Sequence, residues 1–380
     1  MRKGTQLIHN GHDYDEHTGA LGVPVVQTST FAQLDIEGRQ EFDYARSGNP
    51  TRKALEETIA LLEGGAAGYA FSSGIAAAAS VLGMFAAGDH IISAEDIYGG
   101  TYRLFNVFFK RWGLEHSAVD ASSIDNLKAA LKPNTRALFL ETPSNPLLKI
   151  TDLRAAADFA RENGLITIVD NTFMTPYLQR PLELGCDIVL HSATKFLGGH
   201  SDVILGLAAV RTRELGKRLY AVQNSFGAVP GPWDVFLVLR GIKTLKVRLE
   251  EAQKTARALA EFLGGHPHVR AVYYPALAGH PGCDVHAAQA GGAGAVLSFK
   301  TDTAERARRF LAASRLAAAA VSLGGVETII SYPVRMSHAA MPAVERERLG
   351  ISDTLIRVSP GMEDADDLIE DFSQALAGNQ

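Results

Sequence analysis

The sequence has few cysteines, no long run of one charge and no long leucine-rich segment, and each absence excludes a class of protein. Its 380 residues include only Cys186 and Cys283, too few for a disulfide framework and typical of a protein kept in the reducing cytoplasm. No basic run exceeds two residues and the net charge is −5, so neither nucleic acid nor an anionic membrane is expected as a partner. The first residues lack the apolar segment that predicts a signal peptide.

Two patterns that suggest a membrane span or a metal site are weak. Residues 64–88 carry no charge, but glycine and serine interrupt them and alanine is commoner than leucine. This composition predicts a buried helix rather than a membrane span. His280, Cys283 and His286 have the spacing of metal ligands, yet no second ligand pair follows them. No metal is therefore expected.

Length and composition predict a globular protein of two or three domains. Hydrophobic residues make up 46% of the chain and charged residues 21%. Helical segments, one of them over 101–111, alternate with strand-like segments from residue 51 to residue 210, and the strands at 136–141 and 165–170 are nearly continuous apolar runs. Such strands are buried on both faces, so the pattern predicts an α/β domain with a mostly parallel sheet.

The rest of the chain predicts an arm and a second domain. Residues 1–48 have little periodicity and are expected to extend onto another subunit, while residues 49–245 form the large domain. One long helix is predicted from Pro232 to about Leu263. Beyond it, strands and helices follow no regular alternation, so residues 246–380 are expected to form a smaller α+β C-terminal domain.

A lysine that follows a predicted strand is the strongest indication of chemistry. Lys195 ends the motif SATK at 192–195, directly after the strand predicted at 187–191. Ligands of α/β sheets bind at the carboxyl ends of the strands. The lysine could form a Schiff base while the hydroxyls of Ser192 and Thr194 contact a phosphate. The alternative is an ordinary lysine on a surface loop.

Two other segments could bind the remaining parts of such a cofactor. Asp170 ends the strand predicted at 165–170, where a carboxylate could keep a pyridine nitrogen protonated or could instead cap a turn. Gly74 and Ile75 open a helix after two serines. Glycine allows close approach of the backbone there, and the N–H groups at a helix start attract phosphate.

Three further side chains have both a functional and a structural interpretation. Tyr98 follows a predicted strand and could stack on a planar cofactor or could simply pack against its neighbours. Arg357 interrupts an apolar strand, so it needs an anionic partner, either a substrate carboxylate or a structural one. Arg46 lies in an exposed loop of the arm and could contact phosphate.

Seven motifs, in order, make the chain similar to the transsulfuration family of pyridoxal 5′-phosphate (PLP) enzymes. They are YAR at 44–46, SG at 73–74, YGGT at 98–101, ETPSNP at 141–146, VDNT at 169–172, SATK at 192–195 and SLGGVE at 322–327. The resemblance extends over essentially the whole chain. The family includes cystathionine β-lyases, cystathionine γ-lyases, cystathionine γ-synthases and methionine γ-lyases.

The resemblance implies a fold, an assembly and a cofactor. The fold is type I of the PLP-dependent transferases, the aspartate aminotransferase-like architecture, and the assembly is a homotetramer of two active-site dimers. Lys195 would bind the cofactor covalently and later move protons. Asp170 would pair with the pyridine nitrogen, Tyr98 would stack on the ring, and Thr172 would lie near it.

The resemblance also implies which residues bind the phosphate and the substrate. Within one subunit the phosphate would be held by Gly74, Ile75, Ser192 and Thr194. From the neighbouring subunit it would be reached by Tyr44 and Arg46. The carboxylate region of an amino-acid substrate would be bound by Asn145, Ser322 and Arg357.

Val321 bears on which member of the family the chain is most similar to. Many γ-synthases and γ-lyases carry a glutamate before the SLGG motif, and Val321 cannot contact the distal amino group of cystathionine in the same way. Residues 331–342 and 173–181 are similar to cystathionine β-lyases of Gram-positive bacteria. The resemblance therefore favours a PLP-dependent carbon–sulfur lyase of methionine and cysteine metabolism that cleaves cystathionine to homocysteine, pyruvate and ammonia.

Other activities are alternatives to that expectation. Within the family they are a cystathionine γ-synthase that uses an O-acylhomoserine and a cystathionine γ-lyase. Outside it they are an aminotransferase with the same cofactor and a catalytically silent binding protein. A nicotinamide dehydrogenase would need a glycine fingerprint that the sequence does not contain.

Overall fold

The computed structural model describes residues 1–38, 40–339 and 341–377. In these residues the α-helices are α1 Lys3–Gln6, α2 Pro50–Glu63, α3 Gly74–Leu82, α4 Gly99–Arg103, α5 Ile124–Ala129, α6 Leu153–Glu162, α7 Thr175–Leu178, α8 Arg213–Phe226, α9 Pro232–Lys243, α10 Leu245–Gly265, α11 Cys283–Gln289, α12 Ala304–Ala313, α13 Ala343–Leu349 and α14 Ala365–Ala377. The strands are β1 Ala67–Phe71, β2 His90–Ala94, β3 Glu115–Val119, β4 Thr135–Glu141, β5 Ile166–Asp170, β6 Ile188–Ser192, β7 Gly206–Val210, β8 Val269–Tyr273, β9 Leu297–Thr301, β10 Ala318–Ala319, β11 Ile329–Ser331 and β12 Leu355–Ser359.

The first sheet has seven strands in the order β1-β7-β6-β5-β4-β2-β3. Neighbours from β3 to β6 run parallel, and only β7 runs antiparallel to the two strands beside it. The central strands are mostly apolar and almost wholly buried because helices cover both faces of the sheet. The prediction of an α/β fold with a mostly parallel sheet is therefore confirmed.

Helix α6 illustrates how the sequence produces the covering layer. The side chain of Asp152 accepts a hydrogen bond from the N–H of Ala155 at 2.9 Å, which begins the helix. Its apolar residues recur at helical spacing, so that Leu153, Ala156 and Phe159 are buried on one face. Burial of a side chain the size of leucine or phenylalanine stabilises a fold by about 1.5–3 kcal/mol.

The second sheet has five strands in the order β10-β11-β12-β9-β8. All its pairings are antiparallel except that of β10 with β11. Helices α10, α12 and α14 pack on it around the aromatic side chains of Phe299, Phe310 and Phe372. This is the smaller α+β unit that the sequence predicts toward the C-terminus, whereas the exact domain limits stay a prediction.

Two helices differ from their predictions. Helix α4 ends at Arg103 and continues as a π-helical turn over Leu104–Phe109, so no single α-helix covers 101–111. The long helix predicted from Pro232 is divided at Thr244 into α9 and α10. Gly241 lies so close to the backbone of Gly198 that a Cβ there would overlap its carbonyl oxygen. This tertiary contact, which periodicity does not reveal, accompanies the break.

The N-terminal segment lies outside both sheets. After α1, the described residues up to Asn49 contain one isolated bridge, between Thr30 and Tyr44. Leu34 and Ile36 in this segment are 90% and 89% exposed. None of the helices described is both long enough and apolar enough to cross a bilayer.

The site predicted from the sequence lies where the central parallel strands end. Glu141 is the last residue of β4, Asp170 the last of β5 and Ser192 the last of β6. Glu141 and Asp170 are direct partners in the register of β4 and β5. The strand order therefore places three polar side chains at one edge of the first sheet.

Candidate active site

A cavity of about 480 Å³ opens at this edge, between the two sheets. It is lined by all of the predicted site residues except Tyr44 and Arg46, namely Gly74, Ile75, Tyr98, Asn145, Asp170, Thr172, Ser192, Thr194, Lys195, Val321, Ser322 and Arg357. The first sheet and its loops supply the residues up to Lys195, and the second sheet and its loops supply the last three. Both units therefore contribute to one site.

The amine of Lys195 points into the cavity from the loop after β6. Its Nζ donates a hydrogen bond to the Oγ of Ser322 at 2.6 Å. Burial, and to a lesser extent the positive charge of Arg357, lower the pKa of Lys195 to about 8. A much larger fraction of this amine is neutral at physiological pH than of an ordinary lysine, which suits a nucleophile or a base.

Ser322 joins the lysine to the arginine of the second sheet. Its φ of 91° lies in a region that side-chain-bearing residues rarely adopt. In this conformation its hydroxyl accepts from Lys195 and its carbonyl oxygen accepts from Nη2 of Arg357 at 2.6 Å. Such strain costs on the order of 1–3 kcal/mol and concentrates at functional sites.

Asp170, which lines the cavity at the end of β5, is held by two hydrogen bonds from Thr172. The Oδ1 atom of Asp170 accepts from the N–H of Thr172 at 3.1 Å and from its hydroxyl at 2.5 Å. The same hydroxyl oxygen accepts from the N–H of Ser192 at 2.8 Å and so ties the ends of β5 and β6 together. Burial raises the pKa of Asp170, which the two hydrogen bonds from Thr172 partly offset.

The N-terminus of helix α3 is suited to bind an anion. The Oγ of Ser73 accepts from the N–H of Ala76 at 3.1 Å, and the first N–H groups of a helix have no intrahelical partner. A Cβ on Gly74 would lie 2.7 Å from the Cβ of Ser192, so only glycine permits this approach. Ser192 and Thr194 also line the cavity, and the hydroxyl of Thr194 is hydrogen-bonded to the backbone of Leu205.

Arg357 is a buried cation without a carboxylate partner among the described residues. Only 3% of it is exposed, and its guanidinium donates to the Oδ1 of Asn145 at 3.0 Å, to Ser322 and to the Oγ of Ser331 at 3.1 Å. Its Nε has no hydrogen-bond partner. Burial lowers the pKa of Arg357 to about 10, which still leaves it charged at neutral pH. A buried guanidinium with neutral partners at a cavity suits a carboxylate ligand.

Tyr44 and Arg46 lie elsewhere on the molecule. Arg46 donates from Nη1 to the carbonyl oxygen of Asn224 at 2.7 Å, and its guanidinium lies 5.7 Å from the centre of the Tyr44 ring. Both side chains are solvent-exposed in the single chain. Their predicted contact with the phosphate of a neighbouring subunit stays a prediction.

The structure adds cavity residues that the sequence did not single out. Glu141 ends β4 as Asp170 ends β5, so its position was an available indication. Arg103, five residues after Tyr98, lines the cavity and is exposed. Met336 and Ser337 also line it, from a turn after β11 that no local pattern connects with Lys195. In the described part of the chain, no group of His, Cys, Asp and Glu is arranged to hold a metal.

The donor set fits a planar cofactor with a carbonyl, a ring nitrogen and a phosphate. Lys195 supplies the amine for the carbonyl and Asp170 a carboxylate for the nitrogen, and both line the cavity. The N–H groups at the start of α3, which the close approach of Gly74 brings next to Ser192, suit a phosphate. The aromatic ring of Tyr98 is available at the edge of the same cavity.

Comparisons with known proteins bear on the whole chain. The model of the Cys/Met metabolism PLP-dependent enzymes matches residues 4–377. Cystathionine beta-lyase MetC of Bacillus subtilis (strain 168) is 56% identical over 372 residues, which cover 98% of this chain and 95% of that protein. Cystathionine gamma-lyase of the same strain is 51% identical over 376 residues, which cover 99% of each chain. The solved structure of cystathionine gamma synthase from Xanthomonas oryzae pv. oryzae in complex with cystathionine has a TM-score of 0.97 and 43% identity, with 99% of this chain and 98% of that chain covered.

Proposed function

The chain belongs to the Cys/Met metabolism PLP-dependent enzymes, and from this premise we propose that it is a cystathionine β-lyase. The reaction breaks the bond between sulfur and the β-carbon, and with one water it converts cystathionine to homocysteine, pyruvate and ammonia. One observation carries the proposal. The same cavity holds the amine of Lys195, whose pKa is lowered to about 8, and the guanidinium of Arg357, which has no carboxylate partner among the described residues. One group suits proton removal and the other suits the carboxylate beside the carbon that loses the proton.

The lining of the cavity supports the set of residues that, by resemblance, would hold PLP. When bound, PLP withdraws electrons from the α-carbon of an amino acid and so makes its proton removable. Lys195 would bind it covalently, and Asp170 would hold its ring nitrogen in the protonated form. The start of α3 at Gly74, with Ser192, would hold the phosphate, and Tyr98 would cover the ring.

Cystathionine carries two carboxylates, and the cavity offers two arginines. Arg357 would bind the carboxylate next to the reacting carbon, with Asn145 holding the guanidinium in place at 3.0 Å. Arg103 lies at the exposed side of the same cavity, where the distal amino-acid group would extend. A substrate with two carboxylates therefore matches the charges better than a simple amino acid.

Lys195 would carry out the proton transfers. With its amine free, the Nζ of Lys195 would remove the proton from the α-carbon, and its pKa of about 8 leaves enough neutral amine for this role. The Oγ of Ser322, 2.6 Å away, orients that amine. The hydroxyl of Tyr98, which lines the cavity, would assist proton transfer to the departing sulfur.

The choice of β-cleavage rests on the rim of the cavity. Val321, which is 66% exposed, and Ile204, which is 64% exposed, present apolar side chains there. No carboxylate at position 321 is available to bind the distal amino group that a γ-reaction places there. The alternatives are a cystathionine γ-lyase and a γ-synthase that uses an O-acylhomoserine, because relatives with these names resemble the chain over almost its whole length.

A product assay tests the proposal. Purified, PLP-loaded protein is given L-cystathionine alone, and the keto acids are separated by chromatography. We expect pyruvate and homocysteine in equal amounts. Formation of 2-oxobutyrate and cysteine would identify a γ-lyase, and the absence of both keto acids, with turnover of an O-acylhomoserine and cysteine, would identify a γ-synthase. The variant Lys195→Ala controls for contaminating activity and is expected to form neither product.

We also propose that the protein works as a homotetramer of active-site dimers in the cytoplasm. Support for the assembly comes from Leu34 and Ile36, large apolar side chains that a single chain leaves exposed on its N-terminal segment. Support for the location comes from Cys186 and Cys283, which are both free thiols. Sedimentation of the purified protein tests the assembly.

A further inference from the structure

Two carboxyl groups face the same end of the cavity. Glu141 and Asp170 are direct partners in the register of β4 and β5, and both side chains line the cavity. Glu141 is only 5% exposed. The mechanism assigns a charge to Asp170 and leaves Glu141 without a role.

The hydrogen bonds of the two groups differ in number and kind. Asp170 accepts two, from the N–H and the hydroxyl of Thr172. Glu141 accepts one, at its Oε2 atom from the N–H of Tyr98 at 2.9 Å. Each donor lowers the free energy of a carboxylate, so these contacts favour a negative charge on Asp170 over one on Glu141.

No cation compensates Glu141 within ion-pair distance in the described part of the chain. Arg357, the nearest candidate, directs its hydrogen bonds to Asn145, Ser322 and Ser331 instead. Two adjacent buried carboxyls cannot both be charged without a large penalty, and the one with fewer donors takes the proton.

The titratable groups around Glu141 act in both directions. Asp170 on β5 and Asp96 after β2 repel a negative charge, and Arg357 on β12 attracts one. Tyr98 supplies its backbone N–H, and Lys195 lines the same cavity. Burial comes first among these influences and raises the pKa of Glu141 well above its ordinary value.

We propose that Glu141 is a positioning residue that stays protonated at neutral pH, where it leaves the negative charge to Asp170 and fixes Tyr98 through its backbone N–H. The neutral carboxyl keeps its carbonyl oxygen as an acceptor for Tyr98. It adds no charge beside the carboxylate that would hold the ring nitrogen. The inference rests on the proposed role of Asp170 toward PLP.

Infrared difference spectroscopy tests the protonation directly and needs no activity. The C=O stretch of a protonated carboxylic acid is resolved from that of a carboxylate, so the spectrum of wild type minus Glu141→Gln at pH 7 should contain this band. Asp96→Asn is the matched control, because Asp96 is a second buried carboxyl near the site and burial raises its pKa to about 6. The Asp96→Asn protein should still contain the Glu141 band, so this band should be absent from the spectrum of wild type minus Asp96→Asn. A difference spectrum that contains only carboxylate bands overturns the proposal.

Binding of PLP to the cofactor-free variants tests the positioning role. Glu141→Gln keeps an acceptor for Tyr98 and should bind PLP within about twofold of wild type, whereas Glu141→Leu leaves the half-buried N–H of Tyr98 unpaired and should bind at least about tenfold more weakly. A Glu141→Gln protein as impaired as Glu141→Leu overturns the proposal. Asp170→Asn is expected to bind PLP weakly. If it binds like wild type, the assignment of Asp170 fails, while the infrared band still decides the state of Glu141.

Discussion

If Lys195 binds PLP as proposed, burial of its amine sets the pH at which the cofactor-free protein can capture PLP. Only the neutral amine attacks a carbonyl, so the rate of PLP capture should follow the neutral fraction. We expect this rate to rise with pH and to level off above about 8, measured by absorbance after mixing. Arg357 lowers the pKa of Lys195, so Arg357→Gln should move the midpoint to higher pH. A midpoint in the wild type near the ordinary lysine value of about 10.4 would contradict the expectation.

The backbone of Ser322 allows a paired test of strain against function. Ser322→Ala and Ser322→Gly both remove the hydroxyl that contacts Lys195, but only glycine tolerates a φ of 91° without strain. We expect both variants to lose activity and the glycine variant to be more stable than the alanine variant by about 1 kcal/mol, from urea unfolding. Equal stability of the two would show that the serine is not strained.

At the scale of elements, Arg248 joins helix α10 to the loop that carries Lys195. Its side chain is 5% exposed and donates to the carbonyl oxygens of Phe196 at 2.8 Å and Gly241 at 2.7 Å. Its Nε donates to the hydroxyl of Thr244 at the break between α9 and α10. All three partners are neutral, so the guanidinium acts here as a rigid set of donors.

Replacing Arg248 should therefore weaken this junction. Arg248→Met removes the donor to the carbonyl oxygen of Phe196 and one of the donors to that of Gly241, which keeps the N–H and hydroxyl of Thr244, and we expect a loss of about 1–3 kcal/mol in the free energy of unfolding. The exposed Arg240→Met on α9 is the control and should stay within about 0.5 kcal/mol of wild type. Urea unfolding followed by circular dichroism measures both. Equal effects of the two substitutions would mean that the contacts of Arg248 do not stabilise the junction.

The sequence predicted those elements whose pattern is local. Strands β4 and β5 are predicted because short apolar runs that alternate with helical segments indicate buried strands. The type I fold expected from the motifs is confirmed by the structural relatives. Helix α8 was missed although Thr212 begins it and Gly227 ends it, residues typical of helix termini. The contact of Lys195 with Ser322 joins residues 127 apart in sequence, so no local pattern could predict it.

On the scale of the whole molecule, the resemblance places Arg46 at the phosphate of a neighbouring subunit and so predicts that active sites are shared between subunits. Arg46 and Lys195 would then serve different sites, and a mixture of Arg46→Ala and Lys195→Ala chains can form dimers with one intact site. Each variant alone should be nearly inactive, and random pairing should restore about one quarter of the wild-type activity. Mixing Lys195→Ala with the double variant, which carries both substitutions in one chain, is the control and should restore nothing. No recovery in the first mixture, after verified subunit exchange, would contradict a shared site.

The cavity is built from two sheets that carry different tasks. Lys195 and Asp170 belong to the seven-stranded sheet and its loops, while Val321, Ser322 and Arg357 belong to the five-stranded sheet and its loops. Ser322 and Arg357 also act on Lys195, through a hydrogen bond and through charge, so the second sheet is not free to change as a whole. Duplicated genes would therefore diverge in substrate through rim positions such as Val321, and exchange of this half between relatives would alter specificity only if Ser322 and Arg357 are kept.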